Sequence, residues 1–243
     1  MGLGEERGAD RPGYAPLWPV RRIKGRIGAA VYLVREREPA LIDAGAAQDV
    51  PRILATLETS GLRPRDIRHI VLTHQHPDHA GGAAALREAT GAELLVHVAD
   101  APYVEGRLPR PRPRGVLLAL ALWFLSRGCQ PARVDGRLFE GDTVAGLRVI
   151  HTPGHTPGSI CLYLPRSRSL FAGDLLRTTG RKADRLAEMP HGFADNLALA
   201  RRSIQRVAAL DVDAIYLAHG EVMYSGAGEQ LRALARQTRS SLA

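Results

Sequence analysis

One short segment constrains the fold of this chain more than any other feature of the sequence. It reads Thr73-His74-Gln75-His76-Pro77-Asp78-His79 and follows a strand-like apolar stretch at residues 69–73. A helical pattern begins near Ala80, so the segment occupies a strand-to-helix turn. Four potential metal ligands lie within its last six residues. Imidazole and carboxylate groups at this density predict a metal site.

The spacing within this turn indicates room for more than one ion. Alternation of side chains predicts that His74 and His76 point to one side. Asp78 and His79, further along the turn, can then face a second ion position nearby. Gly81-Gly82 follows directly, and residues without a side chain let the backbone approach a crowded site closely.

Further polar residues recur where other apolar stretches end. Each follows a strand-like run and is flanked by glycine or proline, which is typical of a loop that projects a side chain from a rigid sheet. These residues are Asp43, His155, Asp174 and His219. We therefore expect them to converge with the histidine-rich turn. His69, His97 and His151, which lie in or beside strands, are interpreted as structural.

The hydrophobic pattern favours α/β layering. Predicted strands lie at residues 29–34, 40–43, 69–73, 93–97, 147–151, 160–164, 169–172 and 214–218. An amphipathic helix is predicted over residues 49–60, ended by Gly61, because its apolar residues repeat at helical spacing. A second helix is predicted after Asp195, taken as its N-cap. We interpret residues 1–243 as one domain.

Composition and charge argue against a disordered chain, a nucleic-acid-binding protein and a domain held by disulfides. The chain is 45% hydrophobic and 24% charged, which is an ordinary globular balance. Its net charge is +8, but the arginines are spread from Arg7 to Arg239, so we expect a solvated surface and no nucleic-acid partner. Two cysteines are too few for a disulfide framework. With no secretory signal visible, the predicted location is the cytoplasm.

An unusual insert is predicted at about residues 107–128. Its first part alternates proline with arginine and must be extended. Its second part, residues 116–125, is apolar on every side, and such a helix has to be buried against something. Three interpretations remain open, namely a lid over the substrate, the contact of a homodimer, and a membrane-surface contact. The insert is too short for a transmembrane segment. Trp123, Phe124 and His191 are the candidate substrate-pocket residues.

Together these motifs resemble the metallo-β-lactamase superfamily, whose five ordered motifs are all present between Ala29 and His219. The resemblance implies an αββα sandwich, in which two central mixed sheets carry helices on both outer faces. It also implies two metal ions, the first bound by His74, His76 and His155, the second by Asp78, His79 and His219, and both bridged by Asp174. By the same resemblance, Asp43 supports the ligand loop without binding metal.

The implied chemistry is hydrolysis of a carbonyl compound. Two divalent ions, with Zn²⁺ preferred and Mn, Fe or Co as alternatives, would share a bridging hydroxide nucleophile. Asp78 is the candidate for handling the proton. The resemblance is closest to the compact lactonase and esterase-like members, including N-acyl-homoserine lactonases. The apolar insert predicts a small-molecule substrate with an apolar portion.

Other branches of the superfamily provide the alternatives. An aspartate at position 174 argues against the class B β-lactamases. A glyoxalase II-type thioester hydrolase is expected to carry a helical domain after its last ligand, whereas 24 residues follow His219. A mononuclear iron persulfide dioxygenase and a phosphodiesterase also remain open. Metal stoichiometry separates the dioxygenase from the binuclear enzymes, and salt-dependent nucleic-acid binding would identify a phosphodiester role.

Overall fold

The structure is a computed structural model that describes residues 20–26, 28–110, 126–180 and 184–240. Residues 111–125, which contain the predicted apolar helix with Trp123 and Phe124, lie outside the described residues. The interpretations of that insert therefore stay predictions. So does the assignment of residues 1–243 to one domain.

The strands of the described residues form two sheets and one separate hairpin. They are β1 (Val20–Ile23), β2 (Val31–Arg35), β3 (Pro39–Ile42), β4 (His69–Leu72), β5 (Glu93–His97), β6 (Gly136–Leu138), β7 (Thr143–Val144), β8 (Leu147–His151), β9 (Ile160–Leu164), β10 (Ser169–Phe171), β11 (Leu176–Thr179), β12 (Arg185–Glu188) and β13 (Ala214–Tyr216). β11 and β12 pair with each other as the hairpin.

Both larger sheets are mixed. The first has the order β1-β2-β3-β4-β5-β6, with antiparallel pairing from β1 to β3 and parallel pairing from β3 to β6. The second has the order β13-β10-β9-β8-β7 and is antiparallel except for the β10–β13 pair. Parallel neighbours bring their carboxyl ends to the same edge of a sheet, so residues that follow two such strands lie close together.

Helices cover the outer faces of the two sheets. They are α1 (Val50–Thr59), α2 (Pro77–Ala80), α3 (Ala83–Thr90), α4 (Ala101–Val104), α5 (Leu197–Val207) and α6 (Ala227–Ser240). One apolar cluster joins α1, α3 and α4 to the first sheet, and another joins α5 and α6 to the second. A third cluster lies between the sheets and includes Tyr32, Val71, Leu162 and Phe171. The predicted αββα layering is confirmed.

The third cluster holds the two sheets together. The ring of Tyr32 packs edge-on against Phe171 and Tyr216, with centroids 5.5 and 5.4 Å away. The Tyr32 hydroxyl donates to the Leu217 carbonyl at 2.6 Å, so the buried phenol is satisfied. Full burial of a large apolar side chain such as Phe171 contributes roughly 1.5–3 kcal/mol.

The amphipathic pattern of α1 gives the expected helix. Val50, Ile53 and Leu57 are buried, and Gly61 follows the helix with a φ of +72°. Glycine adopts this left-handed conformation without steric cost and so ends the helix.

Two predicted helix starts were wrong. α5 is capped by Asn196, whose Oδ1 accepts a hydrogen bond from the Leu199 N–H at 3.0 Å, and not by Asp195. The helical structure expected near Ala80 already begins at Pro77. Proline fits the first turn of a helix because its φ is fixed and no donor is needed there.

The strand ends bring the polar residues of the sequence motifs toward one another. Asp43 follows β3 and His74 follows the parallel strand β4, so both lie at one edge of the first sheet. In the second sheet, Asp174 follows β10 and His219 follows its parallel neighbour β13. Ile160 N–H donates to Thr73 O at 2.9 Å, which joins the second sheet to the histidine-rich turn. Among the described residues, no helix has the length and apolarity to cross a membrane.

Candidate metal centre

Three histidines form the first cluster of potential metal ligands. His155 Nε2 lies 3.1 Å from His74 Nε2 and 2.9 Å from His76 Nδ1. His74 and His155 are buried, and His76 is partly buried. One nitrogen of each ring thus faces a common point, which is the arrangement that a metal ion needs.

A second cluster consists of Asp78, His79 and His219. Asp78 Oδ2 lies 3.1 Å from His219 Nε2 and 3.7 Å from His79 Nε2. His79 is fully buried, whereas the His219 side chain is 35% exposed. The cluster therefore has one open side, at His219.

The Asp174 carboxylate lies between the two clusters. Its Oδ2 is 3.4 Å from His155 Nε2, in the first cluster. Its Oδ1 is 3.2 Å from His79 Nε2 and 3.5 Å from His219 Nε2, in the second. A single carboxylate thus presents one oxygen to each group of imidazoles.

The donor set fits divalent cations. His79 Nε2 and Asp174 Oδ1 are buried and make no hydrogen bond of acceptable geometry among the described residues. Buried polar groups are normally satisfied, so each such atom calls for an explanation. Imidazole nitrogens and carboxylate oxygens that converge in this way are the donors that divalent transition ions prefer. The clusters imply divalent metal ions.

The histidines of the first cluster are uncharged at neutral pH. Burial lowers the pKa of His74 well below its ordinary value, and the positive field of His79 lowers it further. Burial also lowers the pKa of His76, to about 3, and that of His155. Neutral imidazole is the form that coordinates metal, so these rings do not have to lose a proton first.

The second cluster is dominated by negative charge. Burial would lower the pKa of His79, but the carboxylates of Asp174, Asp43 and Asp78 outweigh it and raise that pKa well above the ordinary value. Burial would raise the pKa of Asp174, but His79 and His219 hold it well below its usual range. A cation bound here would neutralise the same negative field.

The Asp43 carboxylate contacts both the start and the end of the histidine-rich turn. Its Oδ2 lies 2.8 Å from His79 Nδ1, and its Oδ1 accepts the Thr73 N–H at 2.7 Å. The Thr73 hydroxyl donates to the same carboxylate at 2.9 Å. Asp43 has a φ of +64°, a conformation that aspartate tolerates better than most residues.

The loop that carries His155 depends on a glycine. Gly154 has a φ of +137°, and a Cβ built there would lie 2.2 Å from the Ala200 nitrogen. Asn196 N–H donates to the Gly154 carbonyl at 2.8 Å, and Asp195 N–H donates to the His155 carbonyl at 3.3 Å. Close packing against the start of α5 therefore sets the position of His155.

Sequence reasoning overlooked three residues at the centre. The buried Asp100 carboxylate accepts hydrogen bonds from Gln75 in the histidine-rich turn and from Gly158 in the loop that carries His155, and we call these two segments the ligand loops. Arg110 Nε donates to the Gln75 carbonyl at 3.0 Å. Arg22 donates to the Gly220 carbonyl, beside His219. Asp100 could have been found, because it comes three residues after the apolar strand β5, where polar residues of the other motifs also lie close to strand ends.

The other histidines lie outside the two clusters. His97 and His151 stack on each other, with ring centroids 3.9 Å apart, and His69 Nε2 contacts Glu38 at 2.9 Å. The side chain of His191 lies outside the described part of the structure, so its predicted contact with substrate stays a prediction.

The sequence and the fold are similar to those of known proteins. The family model of the metallo-beta-lactamase superfamily matches residues 24–219. A probable metallo-hydrolase YflN from Bacillus subtilis (strain 168) is 31% identical over 212 residues, covering 79% of this chain and 80% of that protein. A hydroxyacylglutathione hydrolase from Rhodospirillum rubrum is 34% identical over 157 residues, covering 62% of this chain and 48% of that protein. The chain thus spans about half the length of that relative.

Two solved structures illustrate the similarity of fold. A metallo-beta-lactamase family protein, TTHA1429 from Thermus thermophilus, has a TM-score of 0.69 at 22% identity, covering 91% of this chain and 79% of that one. TTHA1623 in a di-iron-bound form has a TM-score of 0.65 at 28% identity, covering 89% of this chain and 96% of that one.

Proposed function

The chain belongs to the metallo-β-lactamase superfamily, and on this premise we propose that it is a binuclear metal-dependent hydrolase of acyl compounds. Its substrate is a small molecule with a thioester, lactone or ester bond. The proposed ligands are His74, His76 and His155 for the first ion, Asp78, His79 and His219 for the second, and Asp174 for both. Imidazole and carboxylate donors without a thiolate favour Zn²⁺.

The position of Asp174 carries the binuclear proposal. Its two oxygens approach different clusters, at 3.4 Å from His155 and 3.2 Å from His79. An ion bound at only one of the two clusters would leave the imidazoles of the other cluster without a cation. The di-iron-bound form of TTHA1623 supports the same assignment.

Divalent ions at this site would supply a coordinated water of lowered pKa and polarise the substrate carbonyl. Burial would raise the pKa of Asp78, but His79 and a hydrogen bond from His219 outweigh it and lower that pKa. Asp78 is therefore ionised at neutral pH, so that it can hold an ion and accept a proton. Burial raises the pKa of the Cys161 thiol to about 12, which makes it unsuitable as a nucleophile.

Two substrate classes are favoured by different observations. The relatives named hydroxyacylglutathione hydrolase support a thioester of a hydroxy acid with a thiol. Exposed apolar side chains near the ligand loops support an acyl chain or another apolar group in the substrate. Leu108 is 46% exposed and lies two residues before Arg110, which binds the Gln75 carbonyl. Phe193 is 42% exposed and lies two residues before Asp195, which binds the His155 carbonyl.

The test combines metal analysis with a substrate panel. Protein purified without added metal is analysed for zinc, iron, manganese and cobalt, then assayed with a hydroxyacylglutathione thioester and with short- and long-chain acyl-homoserine lactones. We expect about two metal ions per chain and turnover of at least one acyl class. The ratio of kcat/KM values assigns the preferred class.

Two outcomes would count against the proposal. A single iron per chain that no loading raises to two would contradict the binuclear centre. A fully loaded protein without turnover across the panel would contradict acyl hydrolysis. His219→Ala provides the matched control for the metal count, because it removes one ligand of the second cluster and leaves the first intact.

A further inference from the structure

The buried carboxylate of Asp100 binds both loops that carry the first cluster. Its Oδ2 accepts the Gln75 N–H at 3.0 Å and the Thr156 hydroxyl at 2.7 Å. Its Oδ1 accepts the Gly158 N–H at 2.7 Å. Gln75 lies between His74 and His76, and Thr156 follows His155 directly.

These contacts cross from one sheet to the other. The Gln75 turn follows β4 of the first sheet, whereas Thr156 and Gly158 lie between β8 and β9 of the second. Gly158 lets its loop approach closely, because a Cβ there would lie 2.6 Å from the Asp100 carboxyl carbon. One carboxylate thus connects the two backbone segments whose histidines form the first cluster.

The local role of Asp100 does not account for this arrangement. It occupies the N-cap position of α4, where aspartate commonly accepts a hydrogen bond from its own helix, but its side chain makes no such bond. Asp100 is fully buried, and burial raises its pKa, although the three hydrogen bonds oppose that change. Burial of a carboxylate is costly unless donors satisfy it, and both ligand loops supply those donors.

We propose that Asp100 is a positioning residue for the first metal ion, setting the separation of the His74–His76 turn from the His155 loop. Asp43 contacts His79 of the second cluster and also Thr73 at the start of the turn, whereas the Asp100 carboxylate accepts from Gln75, Thr156 and Gly158. The inference rests on the proposed binuclear function and adds to it that Asp100 acts on the first site more than on the second. Residues that orient ligands in this way typically affect metal affinity by about 10- to 100-fold.

Single-cluster variants of the full chain test the proposal. His219→Ala disrupts the second cluster, and His155→Ala disrupts the first. Asp100→Asn is introduced into each, and Zn²⁺ affinity is measured by competition with a chromophoric chelator. Asparagine has nearly the shape of aspartate but only one acceptor oxygen, so its amide must face at least one of the present donors.

The expected result differs between the two backgrounds. In His219→Ala, Asp100→Asn should weaken Zn²⁺ binding by about 10- to 100-fold and change the visible spectrum of bound Co²⁺. In His155→Ala, the same change should leave affinity within about twofold, because the Asp100 carboxylate accepts from Gln75, Thr156 and Gly158 and contacts no proposed ligand of the second ion. Asp135→Asn is the matched control. Asp135 also accepts a backbone N–H, from Leu94 at 3.0 Å, but Asp135 and Leu94 both lie outside the ligand loops.

The outcomes separate this inference from the proposed function. If both single-cluster variants bind Zn²⁺ and Asp100→Asn affects them equally, or affects neither, the role assigned to Asp100 is overturned while the metal sites stand. If wild-type protein and both variants fail to bind Zn²⁺, the proposed function and this inference fall together. Should Asp100→Asn not fold, Thr156→Val removes one donor at similar shape, and a smaller loss confined to His219→Ala is expected.

Discussion

The Asp43 carboxylate lies 2.8 Å from His79 Nδ1, and both side chains are buried. This contact fixes the orientation of the imidazole ring and leaves Nε2 facing Asp174 at 3.2 Å. The same carboxylate accepts the Thr73 N–H, so it also holds the start of the histidine-rich turn. The geometry of the second cluster thus depends on a residue that is not one of its proposed ligands.

Asp43→Asn should lower metal affinity by about 10- to 100-fold, the usual effect of losing a carboxylate behind a ligating histidine. Asparagine tolerates the positive φ at this position, so the backbone should persist. Chelator competition measures the affinity, and circular dichroism reports the fold. Wild-type affinity in the variant would refute the role of Asp43.

His76→Ala should reduce turnover more than about 100-fold, beyond the upper end of what loss of a supporting partner costs. The side chain is only partly buried, so its removal should leave the fold mostly intact. Steady-state assays and a thermal melt are recorded on the same preparation. Wild-type turnover in this variant would show that the proposed ligand set is wrong.

Removal of metal should destabilise the protein. An ion that binds only the folded state adds about 2.7 kcal/mol when its free concentration is 100 times Kd. Chelator-treated protein should therefore melt at a lower temperature and recover when Zn²⁺ is restored. The control is the double variant His76→Ala/His219→Ala, whose melting temperature should change less when metal is removed. An identical Tm with and without metal would contradict binding at the buried clusters.

The two cysteines should differ in reactivity. Cys161 is buried with its pKa raised to about 12, so little thiolate forms at neutral pH, whereas Cys129 is partly exposed. A chromogenic disulfide reagent at pH 8 should modify one thiol per native chain and two after denaturation. Cys129→Ser should abolish the native reaction. Fast reaction of two thiols in native protein would contradict the burial of Cys161.

His97 should contribute to acid sensitivity. Burial and then the charge of His151 lower its pKa from 6.5 to about 4. Between these values the unfolded chain binds a proton that the folded protein does not, so stability falls as pH falls from about 6.5 to about 4. In chelator-treated protein, His97→Gln should make the free energy of unfolding less dependent on pH across that range. The free energy of unfolding is measured by urea titrations at several pH values. The same pH dependence in His97→Gln and wild-type protein would contradict this prediction.

Local patterns predicted the buried strands well. β5, β8 and β9 have the predicted limits, because their apolar runs end at polar residues, glycine or proline. Shorter or more polar elements were overlooked, including β1, the hairpin of β11 and β12, and α6. The strands among them carry little periodic signal, and their stability comes from neighbours distant in the chain. α6 differs, because its buried residues Ala227, Leu231, Leu234 and Ala235 recur at helical spacing, so this helix could have been predicted. It packs on α5 and β12 through Leu231 and Leu234.

By itself, the sequence indicated α/β layering and the residue types of the candidate centre, because strand ends and turn residues are local properties of the chain. The αββα arrangement was implied only by the resemblance to the metallo-β-lactamase superfamily. Only the tertiary structure decided that Asp174 divides its oxygens between His155 and His79, and that Asp100 joins two ligand loops. These relationships span from 19 residues, between His155 and Asp174, to 95, between His79 and Asp174. They arise from the pairing of strands within each sheet and from the packing of one sheet on the other, which no local pattern encodes.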